Sequence, residues 1–267
     1  MMYNIVVLMK QVPDTRVVSC STILPDGSIN RKALPTIINP NDMQALEMAL
    51  TLKDSYPGST VSVVSMGPPA ATDVIKEVMF RGADKGVLLS DAIFAGSDTL
   101  ATSRILSAAI QKLGAVDLVL CGRQTIDGDT AHVGPQVAHM LAIPQVTAVT
   151  AMQRVSDTTW HINRVGDAVE EIVSASFPLL LTIDESAPTC RFRQAKRVMS
   201  YKNEQVVVWN AADLAISADM CGINGSATCV VSSTPVALEV KESKQIEASK
   251  TAIDECLSEL LTTCVIA

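Results

Sequence analysis

The sequence is poor in aromatic side chains, which make up 3% of its 267 residues, so aliphatic groups must fill whatever core it builds. Charged residues are few as well, at 18% against 48% apolar ones, which leaves ample material for a sizeable core. The formal charge of −7 speaks against the basic surface on which non-specific nucleic-acid binding rests. No uncharged apolar run approaches the roughly 18 residues of a membrane span. The chain runs straight into "NIVVLM" without a basic n-region or cleavage site, so no export signal is visible and a cytoplasmic protein is expected. The seven cysteines are odd in number, scattered and without a C-x-x-C pair, and the three histidines lack ligand spacing. That pattern argues against a zinc or iron–sulfur site and for reduced, mostly buried thiols.

Two phosphate-binding fingerprints are also missing. "MKQVPDT" stands where a G-x-G-x-x-G would follow the first strand, and there is no G-x-x-x-x-G-K-[ST]. No Ser, Cys or Lys sits in an elbow motif with a histidine at a recognisable offset, so no catalytic residue is assigned.

What is present is alternation. Asn4–Met9 and Val61–Met66 are continuous apolar runs of the kind that form parallel strands covered on both faces. Val87–Leu89 and Val116–Cys121 are two more strands. Helices are expected over Met43–Lys53 (capped by Asn41 or Asp42), Asp73–Arg81 (stopped by Gly82), Thr99–Leu113 (capped by Asp98) and about Thr130 to Leu141. Strand and helix in turn predict an α/β fold with a doubly wound, mostly parallel sheet and right-handed crossovers. After residue 146, "TWHINRVGDAVEEIVSASFPLLLTIDES" reads as two or three partly antiparallel strands at one edge. "PTCRFRQAKRVMSYKNEQ" reads as an exposed loop or short helix, residues 210–235 as an extended linker, and Glu242–Thr263 as an amphipathic helix with Ile246, Ile253, Leu257 and Leu260 on one stripe.

Ligands of such sheets sit beyond the carboxyl ends of the strands. Four polar loops fall there, at residues 8–15, 39–42, 66–70 and 122–130, with 96–102 close by. In "CGRQTIDGDTAHVGPQ" (121–136), Gly122 allows a tight strand exit and Gly128 a positive φ or a close ligand approach. Asp129, Thr130, Ala131 and His132 would make the first turn of a helix whose free amides suit an anion, with Arg123 adding charge. The helix start "GSDTLATS" (96–103) brings the hydroxyls of Thr99, Thr102 and Ser103. Two such starts suit a diphosphate better than one phosphate. Each residue also has a plainer reading: Asp98 and Asp129 as caps, Asn39 and Asp42 as a capped helix start, His132 as a solvent-facing side chain, and Cys121 as a buried inert thiol. Their coincidence at one sheet edge favours a nucleotide pocket, and a bound redox cofactor would then carry any chemistry.

The blocks "VLMKQVPDT" (7–15), "INPNDMQALEMAL" (38–50), "VVSMGPP" (63–69), "RGADKGVLL" (81–89) and "DLVLCGRQTIDGDTAHVGPQVA" (117–138) resemble the beta (small) subunit of electron transfer flavoproteins. The match runs in order from Asn4 to about Pro188. It implies an adenine nucleotide alpha hydrolase-like α/β domain over 1–188, a partner-recognition loop over 189–205, and a C-terminal arm and helix over 206–267 that packs on an alpha subunit. The family's nucleotide contacts carry over to Leu8, to Asn39, Pro40, Asn41 and Asp42, and to Met66. They carry over likewise to Gly122, Arg123, Gln124, Thr125, Ile126, Asp127, Gly128, Asp129, Thr130, Ala131, His132 and Val133. Asp98, Thr99 and Thr102 match the diphosphate-binding helix start of the electron-bifurcating branch, which holds FAD in this subunit. The G-D-T run and Thr15 fit the same branch, whereas the housekeeping branch holds AMP and usually places a tyrosine at that position.

The resemblance further implies NADH as electron donor, ferredoxin or flavodoxin as low-potential acceptor, an acyl-CoA dehydrogenase-type partner, and Arg123 as a flavin-tuning group. Arg164, Asp167, Glu171 and Pro178 fit a further family signature from which Ala168 and Val169 depart. Phe192 stands where the recognition loop has its apolar anchor. A non-bifurcating subunit with structural AMP, or a stand-alone adenine-nucleotide module, are the alternatives.

Overall fold

The computed structural model describes residues 1–14, 16, 34–229, 231 and 245–263; Thr15 and parts of the expected linker and terminal helix lie outside the described residues. β1 (Asn4–Met9) is apolar and buried from Ile5 onward because both of its faces are covered, and β4 (Thr60–Met66), β5 (Lys85–Leu89), β6 (Leu118–Gly122) and β10 (Leu179–Ile183) are likewise largely apolar and buried. They join β7 (Gln145–Arg154), β8 (Trp160–Val165), β9 (Glu170–Ala175) and β11 (Val207–Trp209) in one nine-stranded sheet of order β11-β5-β4-β1-β6-β10-β7-β8-β9. Pairing is parallel from β11 to β7 and antiparallel for β7–β8 and β8–β9, so the antiparallel edge lies where it was expected. The β8–β9 hairpin closes with the Gly166 amide on the Val169 carbonyl at 2.8 Å, and Arg164 pairs with Glu171 across it at 2.5 Å. A small separate ribbon pairs β2 (Gln11–Pro13) with β3 (Thr36–Ile38).

Alternate residues of each central strand feed two cores. Ile5, Val7, Val61, Val63, Leu118 and Leu120 meet α1 (Pro40–Ser55) and α2 (Thr72–Arg81) on one face. Val6, Leu8, Val64, Leu89 and Val119 meet α3 (Thr99–Leu113) and α4 (Val133–Met140) on the other. Four of the scarce aromatics, Tyr3, Tyr56, Trp160 and Phe177, collect in one cluster with ring centroids 5.1–5.9 Å apart.

Three expectations need correction. α1 starts at Pro40 with Asn39 as its N-cap, so neither Asn41 nor Asp42 caps it; proline tolerates the first helical position because its missing N–H has no partner there. α4 starts at Val133 instead of Thr130, because Asp129 (φ 49°) and Ala131 (φ 54°) are left-handed and cannot continue a right-handed helix. Residues 211–225 are not an extended linker: Ala211, Leu214 and Cys221 are buried in the α3-side core, and 222–225 form the short helix α6 (Gly222–Gly225). The basic stretch after Cys190 holds the short helix α5 (Ala195–Tyr201).

The chain divides into two units, residues 1–233 and 234–267. In the second, α7 (Lys250–Thr262) is capped by Ser249, whose hydroxyl accepts from the Ala252 amide; residues 245–248 are not helical, the expected start at Glu242 lies outside the described residues, and Ile253 and Leu257 of the expected stripe are exposed. Among the described residues no helix is long and apolar enough to cross a membrane.

Candidate functional site

In the strand order the chain proceeds from β1 outward through β4 and β5, then returns to the other side of β1 with β6. The carboxyl ends of β1 and β6 therefore flank the topological switch point, where open α/β sheets bind ligands. A cavity of about 340 Å³ opens there, within the range of small-molecule pockets. Leu8, Met66, Leu106 and Cys121 give it an apolar floor. Burial, followed by the nearby Asp42 charge, pushes the Cys121 thiol far above its ordinary range, so it is no nucleophile.

The loop after β6 supplies one wall. Gly122, Arg123, Gln124, Thr125, Gly128, Thr130, Ala131, His132 and Val133 line the cavity, and Ile126, Asp127 and Asp129 do not. Those three hold the loop instead. The Ile126 amide donates to Asn39 Oδ1 at 3.2 Å, Lys10 Nζ pairs with Asp127 at 2.8 Å, and Asp129 Oδ1 accepts from Gln124 Nε2 at 3.1 Å. Burial alone would raise the Asp127 carboxyl, but the bonds from Lys10 and Thr125 outweigh it and hold it below the usual carboxylate range.

The head of α1 acts from behind. Asn39 is wholly buried and donates its Nδ2 to the Gln124 carbonyl at 2.8 Å. Asp42 touches the cavity while accepting from the Lys10 amide at 2.8 Å and the Gly122 amide at 3.0 Å. Its burial raises its pKa to about 7. Pro40 and Asn41 do not line the cavity, and Asn41 backs against Gly122, where a Cβ would lie 2.7 Å from its own.

The start of α3 lines the cavity as well, with Asp98, Thr99 and Thr102, and packs beside the start of α4, where Ser103 Oγ donates to Gln136 Oε1 at 3.0 Å. Asp98 caps the helix as expected, its carboxylate accepting from the Ala101 amide at 2.9 Å. Gly128 does not take the positive φ anticipated for it; that conformation falls on Asp129 and Ala131. Asp129 is no helix cap either, since His132 occupies that position without a side-chain bond.

Among the described residues nothing accepts from the amides of Thr130, Ala131 and His132, and the hydroxyls of Thr99, Thr102 and Thr130 have no hydrogen-bond partner. Helix geometry leaves the first amides of α3 and α4 without intrahelical partners, and in α3 the Asp98 side chain takes up only that of Ala101. Left-handed residues on either side of Thr130 let successive N–H groups converge, the backbone form of an anion nest. The donor set is rich, and the carboxylates near it are already engaged by the chain's own groups. Such a cradle suits phosphate oxygens. No cluster of metal-ligating side chains occurs among the described residues.

Met9, Lys10, Ser97, Leu106 and Gly134 also line the cavity and were not singled out from the sequence. Two carried a signal. Lys10 lies two residues beyond Leu8, on the same side of the extended chain, and Leu106 lies one helical turn beyond Thr102.

The electron transfer flavoprotein domain model matches residues 26–214. The chain is 40% identical to the electron transfer flavoprotein subunit beta of Clostridium acetobutylicum, over 96% of this chain and 94% of that protein. It is 41% identical to the caffeyl-CoA reductase-Etf complex subunit CarD of Acetobacterium woodii, over 85% and 86% of the two chains. The acryloyl-CoA reductase electron transfer subunit gamma of Anaerotignum propionicum is also 41% identical, over 86% and 87%. A donor-rich cavity at the switch point stands beside this sequence likeness over nearly the whole chain, and the likeness leads to one conclusion: the protein belongs to the electron transfer flavoprotein family, as a beta-type subunit.

Proposed function

We propose that this subunit binds FAD in the switch-point cavity and, paired with an alpha subunit, passes electrons from NADH to a ferredoxin or flavodoxin and to an acyl-CoA-type dehydrogenase by electron bifurcation. The observation that carries the reading is the presence of two donor sets lining one cavity: the Thr99 and Thr102 hydroxyls at the start of α3 and the unpaired amides of Thr130, Ala131 and His132 just before α4. Two sets match the two phosphates of a dinucleotide, whereas AMP would leave one set unsatisfied. When bound, the flavin supplies an acceptor for two electrons that can release them one at a time.

The residues of this chain bind, orient and tune. Thr99, Thr102 and the 130–132 amides hold the diphosphate. Asn39, Asp42 and the Lys10–Asp127 pair fix the loop that presents those amides. Arg123, half-exposed at the cavity and 3.3 Å from Asp184, sets a cation beside the ligand, which favours its more electron-rich form. The names of the caffeyl-CoA and acryloyl-CoA reductase relatives support a dehydrogenase of the acyl-CoA class.

In this reading residues 1–188 are the nucleotide domain and 189–205 the partner-recognition loop, in a cytoplasmic complex. Arg191 clamps that loop to Glu47 at 2.9 Å and Asp54 at 2.7 Å, and Arg193 reaches Glu77 at 2.7 Å, leaving Phe192 90% exposed between them. The C-terminal arm of residues 206–267 starts within the first unit, with β11 in the sheet and residues 211–225 seated on the α3-side core, and ends in α7, whose apolar stripe is the contact face for the alpha subunit.

The test is anaerobic turnover of the heterodimer with NADH, ferredoxin and the dehydrogenase acceptor. Ferredoxin reduction that requires the second acceptor is the expected result. NADH oxidation that never reduces ferredoxin or flavodoxin under those conditions contradicts bifurcation.

A further inference from the structure

Both oxygens of Asp98 are taken by the protein itself. Oδ1 accepts from the Ala101 amide at 2.9 Å, which caps α3. Oδ2 accepts from the Ala227 amide at 2.8 Å, the Thr228 amide at 3.0 Å and the Thr228 hydroxyl at 3.0 Å. The Asp98 amide in turn donates to Ser226 Oγ at 2.8 Å. Around this bond set, Arg104 Nη1 donates to the Gly225 carbonyl at 2.9 Å, and the Gly222 amide donates to Ser97 Oγ at 2.9 Å. Gly222 sits at φ +61°, where a Cβ would lie 2.1 Å from the Ile93 carbonyl oxygen, so this segment is seated with no room for a side chain. Residues 222–228 are thus anchored on the start of α3 shortly before the second unit begins at Thr234.

Three donors thus saturate Oδ2, and Oδ1 is committed to capping the helix. Yet Asp98 lines the cavity immediately before Thr99, so its charge lies beside the proposed diphosphate cradle. Burial would raise its carboxyl, but the amides of Ala101 and Thr228 and the Thr228 hydroxyl hold it below its ordinary value. With the segment in place the carboxylate is covered by three donors. With the segment released, a bare anion would face the phosphates.

We propose, resting on the nucleotide reading above, that Asp98 is a positioning residue that latches the root of the C-terminal arm to the anion cradle. Ligand binding and arm fixation then favour each other. The sign follows from charge: an anion in the cradle binds best when the Asp98 carboxylate is capped, and the cap is the arm root. By thermodynamic reciprocity, fixing the arm root strengthens ligand binding by the same factor.

The test is amide hydrogen exchange of residues 222–229 in the full-length chain bound to its alpha subunit, compared between the FAD-loaded and FAD-stripped complex. In the wild type, FAD should slow exchange of this segment by about tenfold, within the usual span of coupling between sites. Asp98→Asn keeps the α3 cap, since asparagine is an equally good N-cap, but replaces the second oxygen by a donor. Its FAD affinity should fall by no more than that coupling factor of about tenfold, so it remains loaded at saturating FAD, while the FAD-dependent slowing falls below about twofold. Ser226→Ala combined with Thr228→Val weakens the latch from the arm side, leaves α3 untouched, and should also reduce the slowing. Protection that is equal with and without FAD in the wild type would show a purely structural contact and overturn the latch. So would undiminished FAD-dependent slowing in Asp98→Asn, or a loss of FAD affinity in that variant well beyond about tenfold, which would make Asp98 a direct ligand. If the wild-type complex carries no FAD in this subunit, the nucleotide reading fails and takes the latch with it, and flavin content alone identifies that case.

Discussion

The Gly122 amide donates to the Asp42 carboxylate at 3.0 Å, tying the end of β6 to the first turn of α1. The approach is so close that a Cβ on Gly122 would lie 2.6 Å from Asp42 Oδ1 and 2.8 Å from the Asn41 backbone carbon. Backbone cannot yield as a flexible side chain does. Gly122→Ala should therefore displace the head of α1, lower stability by about 1–3 kcal/mol and reduce nucleotide occupancy. Denaturant unfolding and the nucleotide content of the same preparation check both effects; an unchanged midpoint would show that α1 moves freely there.

The buried Asp42 also makes stability depend on pH. Its carboxyl titrates near 3.8 when unfolded and about 7 in the folded protein, because burial disfavours the ion more than the Asn39, Lys10 and Gly122 bonds favour it. The folded state thus holds a proton that the unfolded chain has lost. The stability this contributes is complete below the lower value and disappears as the pH rises through the upper one. The unfolding free energy of the wild type relative to Asp42→Asn should fall between about pH 4 and about pH 7. A difference independent of pH would mean that Asp42 is ionised throughout.

Thr99→Ala with Thr102→Ala should weaken FAD binding about tenfold or more, at roughly 1.5 kcal/mol for a hydroxyl bonded to a charged group. The heterodimer should remain intact, since both hydroxyls face the cavity and support no other contact. Equilibrium dialysis of the flavin and gel filtration of the complex read the two effects separately. Undiminished flavin occupancy would remove the diphosphate from this helix start.

How far the sequence reached varies with the physics. β1 and α3 were legible because their signals are local: an unbroken aliphatic run and an aspartate in front of a helical period. The start of α4 was less so. Its cue, Pro135 in the first turn after Gly134, was present, but left-handed Asp129 and Ala131 are not written in residue type, and for alanine that conformation is unfavourable on its own. The Lys10–Asp127 pair joins residues 117 apart in sequence and has no local trace. Residues 211–228 looked like a linker because they are small and polar. Those are the properties that let Gly222 and Gly225 approach neighbouring backbone and Thr228 reach Asp98.

Phe192 is 90% exposed on a loop held by Arg191 and Arg193, so its ring costs the isolated fold nothing to remove. Phe192→Ala should leave stability within about 0.5 kcal/mol of wild type. If the ring anchors the dehydrogenase, kcat/KM for electron transfer to it should drop about tenfold or more, as for a hot-spot residue. Equal rates for both proteins would place the docking surface elsewhere.

The most direct test of the whole account is the nucleotide content of the heterodimer, extracted after denaturation and separated by chromatography. Two FAD and no AMP per heterodimer is the result predicted by a cavity lined by two donor sets. One FAD together with one AMP would contradict it and make the switch-point cavity a structural AMP site.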